Sequence, residues 1–368
     1  MTTYLIYHDN CLDGFVSGML AYFRQKETFT TDKLIVVPSN YSDKPVDAKA
    51  GDMLILVDFS YPSTQLEELL SKGVNISIED HHKSFMKDLE SNITLMSGSE
   101  KTCSDSYVTY SRGVKFTDDS VEKVKGGSFQ IHLSESESGA SLVMTRYTAA
   151  RQAPFGLDWL ELINTVRLAK THDLWLHGGD ETSDAYALSH WFKKLSGGEE
   201  CKALRDSMKN NPETSEKVFA EFIEKFIKVP LVDKLKEASV ELKELDLKMS
   251  EIADSEKIKR VKLKHLPISD DIRICYVQDP EIFKIGISIM GSYLTRKRGW
   301  DVAILDAVVD DDRHIFSIRS DDSGKNVDVS EIAKWYFEKG YAVSGGGHRN
   351  AAGVAFTKEK KTEFFELG

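Results

Sequence analysis

The chain has 368 residues, of which 41% are hydrophobic and 29% charged, and its formal net charge is −11 at pH 7. This length predicts two domains rather than one, and no apolar run is long enough to span a membrane. The acidic balance repels a long polyanion unless a basic groove is present, which argues against a general duplex-binding protein; it permits chemistry on small phosphates where bound cations invert the local field.

The first ten residues, MTTYLIYHDN, lack the basic start and long apolar core of a signal peptide and read as a strand entering a site. Short apolar runs at 4–7, 34–37, 53–57 and 75–78 predict strands. Between them, 15–24 and 64–72 read as helices, the second closed by Gly73. This alternation predicts an α/β fold with a parallel sheet covered on both faces. Such sheets bind ligands at the carboxyl ends of their strands. Polar clusters stand at those ends: His8 to Asp13, then Asp58, then Asp80 to His82.

Residues 98–138 are polar and predict a loop or hairpin excursion. Ser138 caps a helix from Gly139 to about residue 151, and a second helix, 159–170, delivers Thr171-His172-Asp173-Leu174-Trp175. Leu231, Leu235, Ala238, Leu242, Leu245 and Met249 recur at spacings of three and four, an amphipathic helix. It reads as a connection between domains, with an ordinary surface helix as the equal alternative. After Pro267 the pattern predicts strands at 272–277, 301–305 and 314–319 and helices at 283–298 and 329–338, ending in a glycine-rich loop at 344–353. The expected division is a catalytic domain over 1–195, a helical linker over 196–264, and a smaller α/β unit over 265–368.

The four cysteines, Cys11, Cys103, Cys201 and Cys275, are scattered, with no zinc-ribbon spacing. No disulfide framework is expected, and a cytoplasmic setting fits. Aspartate and histidine are suitable ligands for hard or borderline divalent cations. Two such ions a few ångströms apart can clamp the attacking water and the leaving oxygen of a phosphate ester. An aspartate alone at a strand end is more often structural or merely exposed. The run Asp80-His81-His82 is harder to dismiss, because two adjacent imidazoles have no packing rationale there.

Ile78-Glu79-Asp80-His81-His82-Lys83-Ser84 resembles the signature of the DHH phosphoesterases, which include RecJ-type exonucleases, nanoRNases, cyclic dinucleotide phosphodiesterases and related pyrophosphatases. His8 to Ser17 resembles the family's first motif, Val57-Asp58-Phe59-Ser60 its second, and Ala169 to Trp175 its fourth. Phe316-Ser317-Ile318-Arg319-Ser320, with Gly345-Gly346-Gly347-His348 and Ala351-Ala352-Gly353, resembles the DHH-associated substrate-binding domain. The motifs follow the family's order over nearly the whole chain.

The resemblance implies roles. His8 and Asp58 would hold one ion, and Asp13, Asp58, His81 and Asp173 a second, with Asp58 bridging. His82 would touch the scissile phosphate, and Asp80 would orient a histidine. Two Mn2+ ions are the family's usual complement, with Mg2+, Co2+ or Zn2+ as alternatives. One departure stands out: Cys11 occupies a position where the family usually carries an aspartate. It would be a sixth metal ligand, or a small buried residue with Asp9 or Asn10 assisting the ion instead. Arg319, Ser320, Gly345, Gly346, Gly347, His348 and Arg349 would bind substrate, the glycines by letting backbone amides approach a phosphate.

These features predict a metal-dependent phosphodiesterase that shortens dinucleotides or short oligonucleotides from an end. Such a substrate would lie in a cleft between the two domains. Without a Lys/Arg track interleaved with aromatics, about two to five nucleotides is the expected length. The alternatives are a phosphatase for small nucleotides, a RecJ-like single-strand exonuclease and a non-catalytic nucleotide-binding protein. No membrane partner is expected, and a homodimer is compatible with the sequence.

Overall fold

The computed structural model describes the chain apart from residues 29–32, 42, 105–106, 114–115, 118–119, 122–126, 148–157, 175, 177–182, 266–268, 270, 281, 283–286, 309–312, 322–324, 326 and 368. It divides into two units, Met1–Val240 and Glu241–Gly368. Each is an α/β unit built on a seven-stranded sheet. No helix among the described residues is long and apolar enough to cross a membrane.

In the first unit the strands are β1 (Thr2–His8), β2 (Lys33–Ser39), β3 (Met53–Val57), β4 (Asn75–Asp80), β5 (Glu100–Cys103), β6 (Val108–Arg112) and β9 (Phe129–Leu133), in the order β2-β1-β3-β4-β9-β6-β5. The first five in that order run parallel, and β6 and β5 close the edge as an antiparallel hairpin. β7 (Phe116–Thr117) and β8 (Ser120–Val121) form a separate small ribbon. Leu54, Leu56, Ile76 and Ile78 are buried in a core with Phe59, Tyr61, Leu66 and Leu70. Near-continuous burial along β1, β3 and β4 is what a parallel strand covered on both faces requires.

The expected parallel sheet is therefore present, and β9 enlarges it. That strand lies within the stretch that the sequence suggests is a polar excursion. Its sequence, FQIHL, alternates apolar Phe129, Ile131 and Leu133 with polar Gln130 and His132, and so carries a weak apolar signal.

Helix α1 (Leu12–Thr28) follows β1. Helices α2 (Ser63–Ser71), α3 (Lys83–Ser91) and α4 (Ile93–Met96) follow β3 and β4. Helix α5 (Gly139–Tyr147) is described as far as Tyr147; the rest of the expected helix lies outside the described residues. Next come α6 (Trp159–Asp173), α7 (Asp184–Gly197), α8 (Glu199–Asn210) and α9 (Ser215–Ile227).

The stretch 196–264 is divided between the units. Phe222 of α9 packs 4.7 Å from Phe15 of α1 between ring centroids, with Phe192, Phe219 and Phe226 in the same cluster. Ser215 accepts a hydrogen bond from the Val36 amide of β2 at 2.9 Å. Helices α8 and α9 thus belong to the first unit. Helix α10 (Leu231–Ala253) belongs to it as far as Val240 and to the second unit from Glu241 onward.

The second sheet has the order β14-β15-β13-β12-β11-β10-β16, with β10 (Ile258–Leu263), β11 (Ile274–Val277), β12 (Val302–Val308), β13 (Arg313–Ser320), β14 (Ser344–His348), β15 (Ala351–Thr357) and β16 (Phe365–Leu367). All pairings are antiparallel except β11 with β12. Side chains alternate along β12. Val302 and Ile304 face the helix Val329–Glu338, and Ala303 and Leu305 face the helix Ile287–Arg296. Residues 283–286 of the expected 283–298 helix lie outside the described residues.

The glycine run is not a loop. Residues Ser344–His348 are an edge strand paired with β15. A Cβ on Gly345 would come within 2.4 Å of the Ala333 carbonyl, so this glycine lets the strand lie against the protein's own helix.

Placing α9 in the core has a measurable consequence. Phe222→Ala should cost about 3–5 kcal/mol of stability, read as a lower urea midpoint. A loss within about 0.5 kcal/mol would mark α9 as a detachable connector.

Candidate active site

Four chain segments meet at the carboxyl ends of β1, β3 and β4. His8 ends β1, Asp58 follows β3, and Asp80-His81-His82 closes β4 and opens α3. Asp173 arrives at the end of α6, and Asp13 stands in the first turn of α1. Ligand atoms of His8, Cys11 and Asp58 lie within 4.8 Å of one another. So do those of Asp58, His81 and His82, and those of Asp13, His81 and Asp173. The six residues expected to bind metal are thus brought together, with Asp58 and His81 each in two groups.

Asp58 is fully buried and adopts a left-handed backbone, φ 52°. Aspartate tolerates this region better than most residues other than glycine, and here it forms a sharp turn at the strand end. Its amide donates to the Glu79 carbonyl at 2.9 Å. The first turn of α5 presses on it: a Cβ on Gly139 would stand 2.5 Å from the Asp58 Cβ. Oδ1 is 3.0 Å from His81 Nε2. Oδ2 is 3.7 Å from His8 Nδ1, too far for a hydrogen bond, and both atoms are buried without a hydrogen-bond partner.

Asp13 accepts from the Ser138 hydroxyl at 2.7 Å and from the Ala140 amide at 3.3 Å, so the start of α5 fixes its carboxylate. Asp80 Oδ1 accepts from the amides of His81 and His82 at 2.7 and 3.1 Å and lies 2.6 Å from His82 Nδ1. This commits Nδ1 and leaves Nε2 as the nitrogen of His82 open to a ligand. The expected orienting role of Asp80 thus falls on His82. Behind Asp80, fully buried Glu79 pairs with Arg24 at 3.2 Å and Arg146 at 2.5 Å, anchoring the strand end.

The electrostatics express crowding. Burial, then the charges of Asp58 and Asp173, push the Asp13 carboxyl well above its ordinary range. Burial and Asp58 raise Asp173 to about 6. Burial lowers His81, but its hydrogen bond to Asp58 and the charge of Asp173 outweigh this and carry it up to about 10. Burial likewise opposes charge on His82, and the Asp80 hydrogen bond wins, so its pKa is raised.

Three carboxylates around one imidazolium, with buried oxygen and nitrogen atoms lacking partners, form a donor set that divalent cations fit. Buried charges of one sign otherwise have to neutralise by taking up protons.

The neighbours expected to assist the ion in place of Cys11 are engaged elsewhere. Asp9 pairs with Arg205 at 2.9 Å and Lys209 at 3.0 Å, and Asn10 accepts from the Ser196 hydroxyl at 2.9 Å. Ser138 reads from the sequence as a helix cap; its hold on Asp13 is not visible there. Tyr41 carries no motif, yet its ring stands 5.3 Å from His8 and 5.7 Å from His82. Trp175 lies outside the described residues.

In the second unit, Arg319 pairs with Ala351 across β13 and β15, and Ala351 with His348 across β15 and β14, so the three form one row of the sheet. The Arg319 stem crosses the helix Ile287–Arg296 where a Cβ on Gly291 would come within 2.6 Å. Ser320 is buried, and its hydroxyl donates to the Val327 carbonyl at 2.8 Å, tying β13 to the following segment. Arg349 is exposed, and its carbonyl accepts from Val329 at 2.8 Å. The His348 side chain lies outside the described residues.

Residues 271–367 match the family model of the DHHA1 domain. This part of the chain is similar to DHHA1 domains. This match covers Arg319, Ser320 and the Gly345–Arg349 stretch (residues 345–349), the part of the sequence that resembles the DHH-associated domain. No curated protein matches the chain.

Among solved structures, the chain is similar to a manganese-bound RecJ exonuclease at 14% identity and TM-score 0.47, over 96% of this chain and 86% of that one. It is similar to PggH, a pGpG-specific phosphodiesterase from Vibrio cholerae, at 13% identity and TM-score 0.44, over 98% and 94%. An exopolyphosphatase-related protein from Bacteroides fragilis aligns at 13% identity and TM-score 0.40, over 96% and 86%. These likenesses are remote. The DHHA1 match concerns the second unit, and the account of the first unit rests on its own residues.

The Asp9 anchor yields a pH-dependent prediction. Burial raises the Asp9 carboxyl, but Lys209 and Arg205 outweigh it and hold it below its ordinary value. A lowered folded pKa contributes stability that is present above the unfolded value and lost as pH falls through the folded one. Asp9→Ala should therefore cost about 3 kcal/mol near pH 7, and the gap from wild type should close as denaturation is repeated down through the carboxylate range. A gap that stays constant with pH would show that the pair is not the cause.

Proposed function

We propose that the chain is a divalent-cation-dependent phosphodiesterase that hydrolyses dinucleotides or short oligonucleotides from an end. The observation that carries this reading is Asp58: a fully buried carboxylate grouped with His8 and Cys11 on one side and with His81 and His82 on the other, while His81 is grouped in turn with Asp13 and Asp173. In this reading His8, Cys11 and Asp58 hold one cation, and Asp13, Asp58, His81 and Asp173 hold a second. When bound, the pair supplies the positive charge that polarises a phosphoryl group and makes water a nucleophile at neutral pH.

The chain's own residues do the rest. Asp13 is kept in place by Ser138 and the Ala140 amide. His82, whose charged form Asp80 favours, offers Nε2 to a non-bridging phosphate oxygen and stabilises charge there as the ester bond breaks. Tyr41 presents a half-exposed ring beside His8 and His82, on which a base or ribose can pack. In the DHHA1 domain, Arg319 supplies a guanidinium for a terminal phosphate or base. Burial lowers the pKa of this group, yet an arginine stays cationic at physiological pH. The net charge of −11 supports a short substrate, because a long strand would lack counter-charge along its path.

Two measurements test the reading. His82→Ala should lower kcat roughly 10²–10³-fold, as losing one preorganised donor does, while bound metal per chain stays at the wild-type value. Catalytic efficiency should be higher on a dinucleotide than on a strand of about twenty nucleotides at both low and moderate salt. Processive degradation of the longer strand would replace this reading with a RecJ-like exonuclease. Release of inorganic phosphate from mononucleotides alone would replace it with a phosphatase.

A further inference from the structure

The two sides of Asp58 differ in chemistry. Toward β1 the donors are an imidazole, a thiol and a carboxylate, from His8, Cys11 and Asp58. Toward α6 they are two carboxylates and an imidazole, from Asp13, Asp173 and His81. We infer that the centre is built for two different cations: a thiophilic, borderline ion of the zinc class held partly by Cys11, and a harder ion such as Mn2+ or Mg2+ in the second position. The inference rests on the proposed metal centre and specifies its occupants.

Three observations carry it. First, the cysteine faces atoms that lack partners. His8 Nδ1 and Asp58 Oδ2 are buried with no hydrogen bond, and they stand too far apart, at 3.7 Å, to satisfy each other. A cysteine buried only as a small apolar residue would gain nothing from facing two such atoms.

Second, the side-chain oxygens that precede it in the turn are already engaged. The Asp9 carboxylate is bound to Arg205 and Lys209, and the Asn10 side-chain oxygen accepts from Ser196. Third, the turn is fixed. Asn10 has φ 57°, and the Asp9 amide donates to the Ser39 carbonyl at 2.9 Å, so the backbone that follows the strand end is held by the protein's own contacts.

Thiolate donors favour Zn2+ and other borderline ions over Mn2+ and Mg2+, whereas carboxylate-rich sets suit the harder ions. One Asp-to-Cys difference from the DHH pattern therefore changes the chemistry of one position and leaves the other unchanged.

Cobalt(II) reports this directly. The full chain, reduced and metal-free, is titrated with Co2+ and followed by absorption. Thiolate ligation gives a sulfur-to-cobalt charge-transfer band in the near ultraviolet. The wild type should develop this band with one of its two equivalents. Cys11→Ser and Cys11→Asp should lose the band and still bind the other equivalent, which also shows that the variants are folded.

In competition, Zn2+ should abolish the wild-type band at concentrations where Mn2+ does not. Cys11→Asp should lower Zn2+ affinity at least about tenfold, the lower end of what losing even an outer partner of a ligand costs. Absence of the band in the wild type, or its persistence in Cys11→Ser, overturns the inference; the second result would assign the band to another cysteine. Failure of the functional reading looks different. The band would be present, with two ions bound, yet no phosphodiester would be cleaved. Cleavage at full rate with Mn2+ and no thiolate band would sink this inference and leave the function standing.

Discussion

Three aspartates held close together, Asp13 and Asp58 buried and Asp173 partly exposed, are the constraint on which the first unit depends. Asp13, Asp58 and Asp173 repel one another, and each is kept there by structure that cannot easily give way. Asp58 is held by a left-handed backbone wedged under Gly139, Asp13 by Ser138 and the Ala140 amide, and Asp173 by the end of α6. His81 partly compensates as a cation, with its pKa carried up to about 10 by those same carboxylates. Folding thus concentrates negative charge at one end of the sheet, and divalent cations resolve that charge far better than protons do.

The surrounding architecture serves that concentration. Parallel strands deliver three of the ligand segments to one edge, because every β-α turn of such a sheet opens at the same end. Behind them, buried Glu79 with Arg24 and Arg146 is a second charge cluster, one whose carboxylate is paired. Burial opposes the Glu79 charge, and the two guanidinium groups overcome it and hold its pKa below the ordinary value. His132 stands beside this cluster; burial and the charge of Arg146 lower it to about 4, so it stays neutral. The paired cluster fixes β4, and the unpaired one at its tip is left for ligands.

Much of this was legible in the sequence, for physical reasons. Strand-terminal Asp and His side chains are conspicuous because packing gives no reason for them, and a parallel sheet gathers them wherever they fall in the chain. The grouping of His8, Asp13, Asp58 and His81 follows from that rule; Asp173, at the end of α6, and Cys11 were expected there from the resemblance to the DHH motifs. Contacts made between distant segments were not legible. Ser138 reaches Asp13 across 125 positions, and Asp9 reaches Arg205 across 196. Tyr41 belongs to no motif. The glycines at 345–347 read as a phosphate loop because glycine permits any close approach; in the fold the approach made by Gly345 is to Ala333 of the protein's own helix. Helices α8 and α9 read as a linker because their polar faces dominate the sequence, while the buried phenylalanines of α9 find partners on α1 and α7.

The central claim is that Asp58 is shared by two cations. Cobalt(II) titration of the reduced, metal-free chain, with bound ion counted at equilibrium, tests it most directly. The account predicts two ions bound per wild-type chain, and an Asp58→Ala chain that remains folded but loses high-affinity binding of both, since the carboxylate belongs to both ligand sets. Two ions bound to Asp58→Ala with wild-type affinity would contradict it.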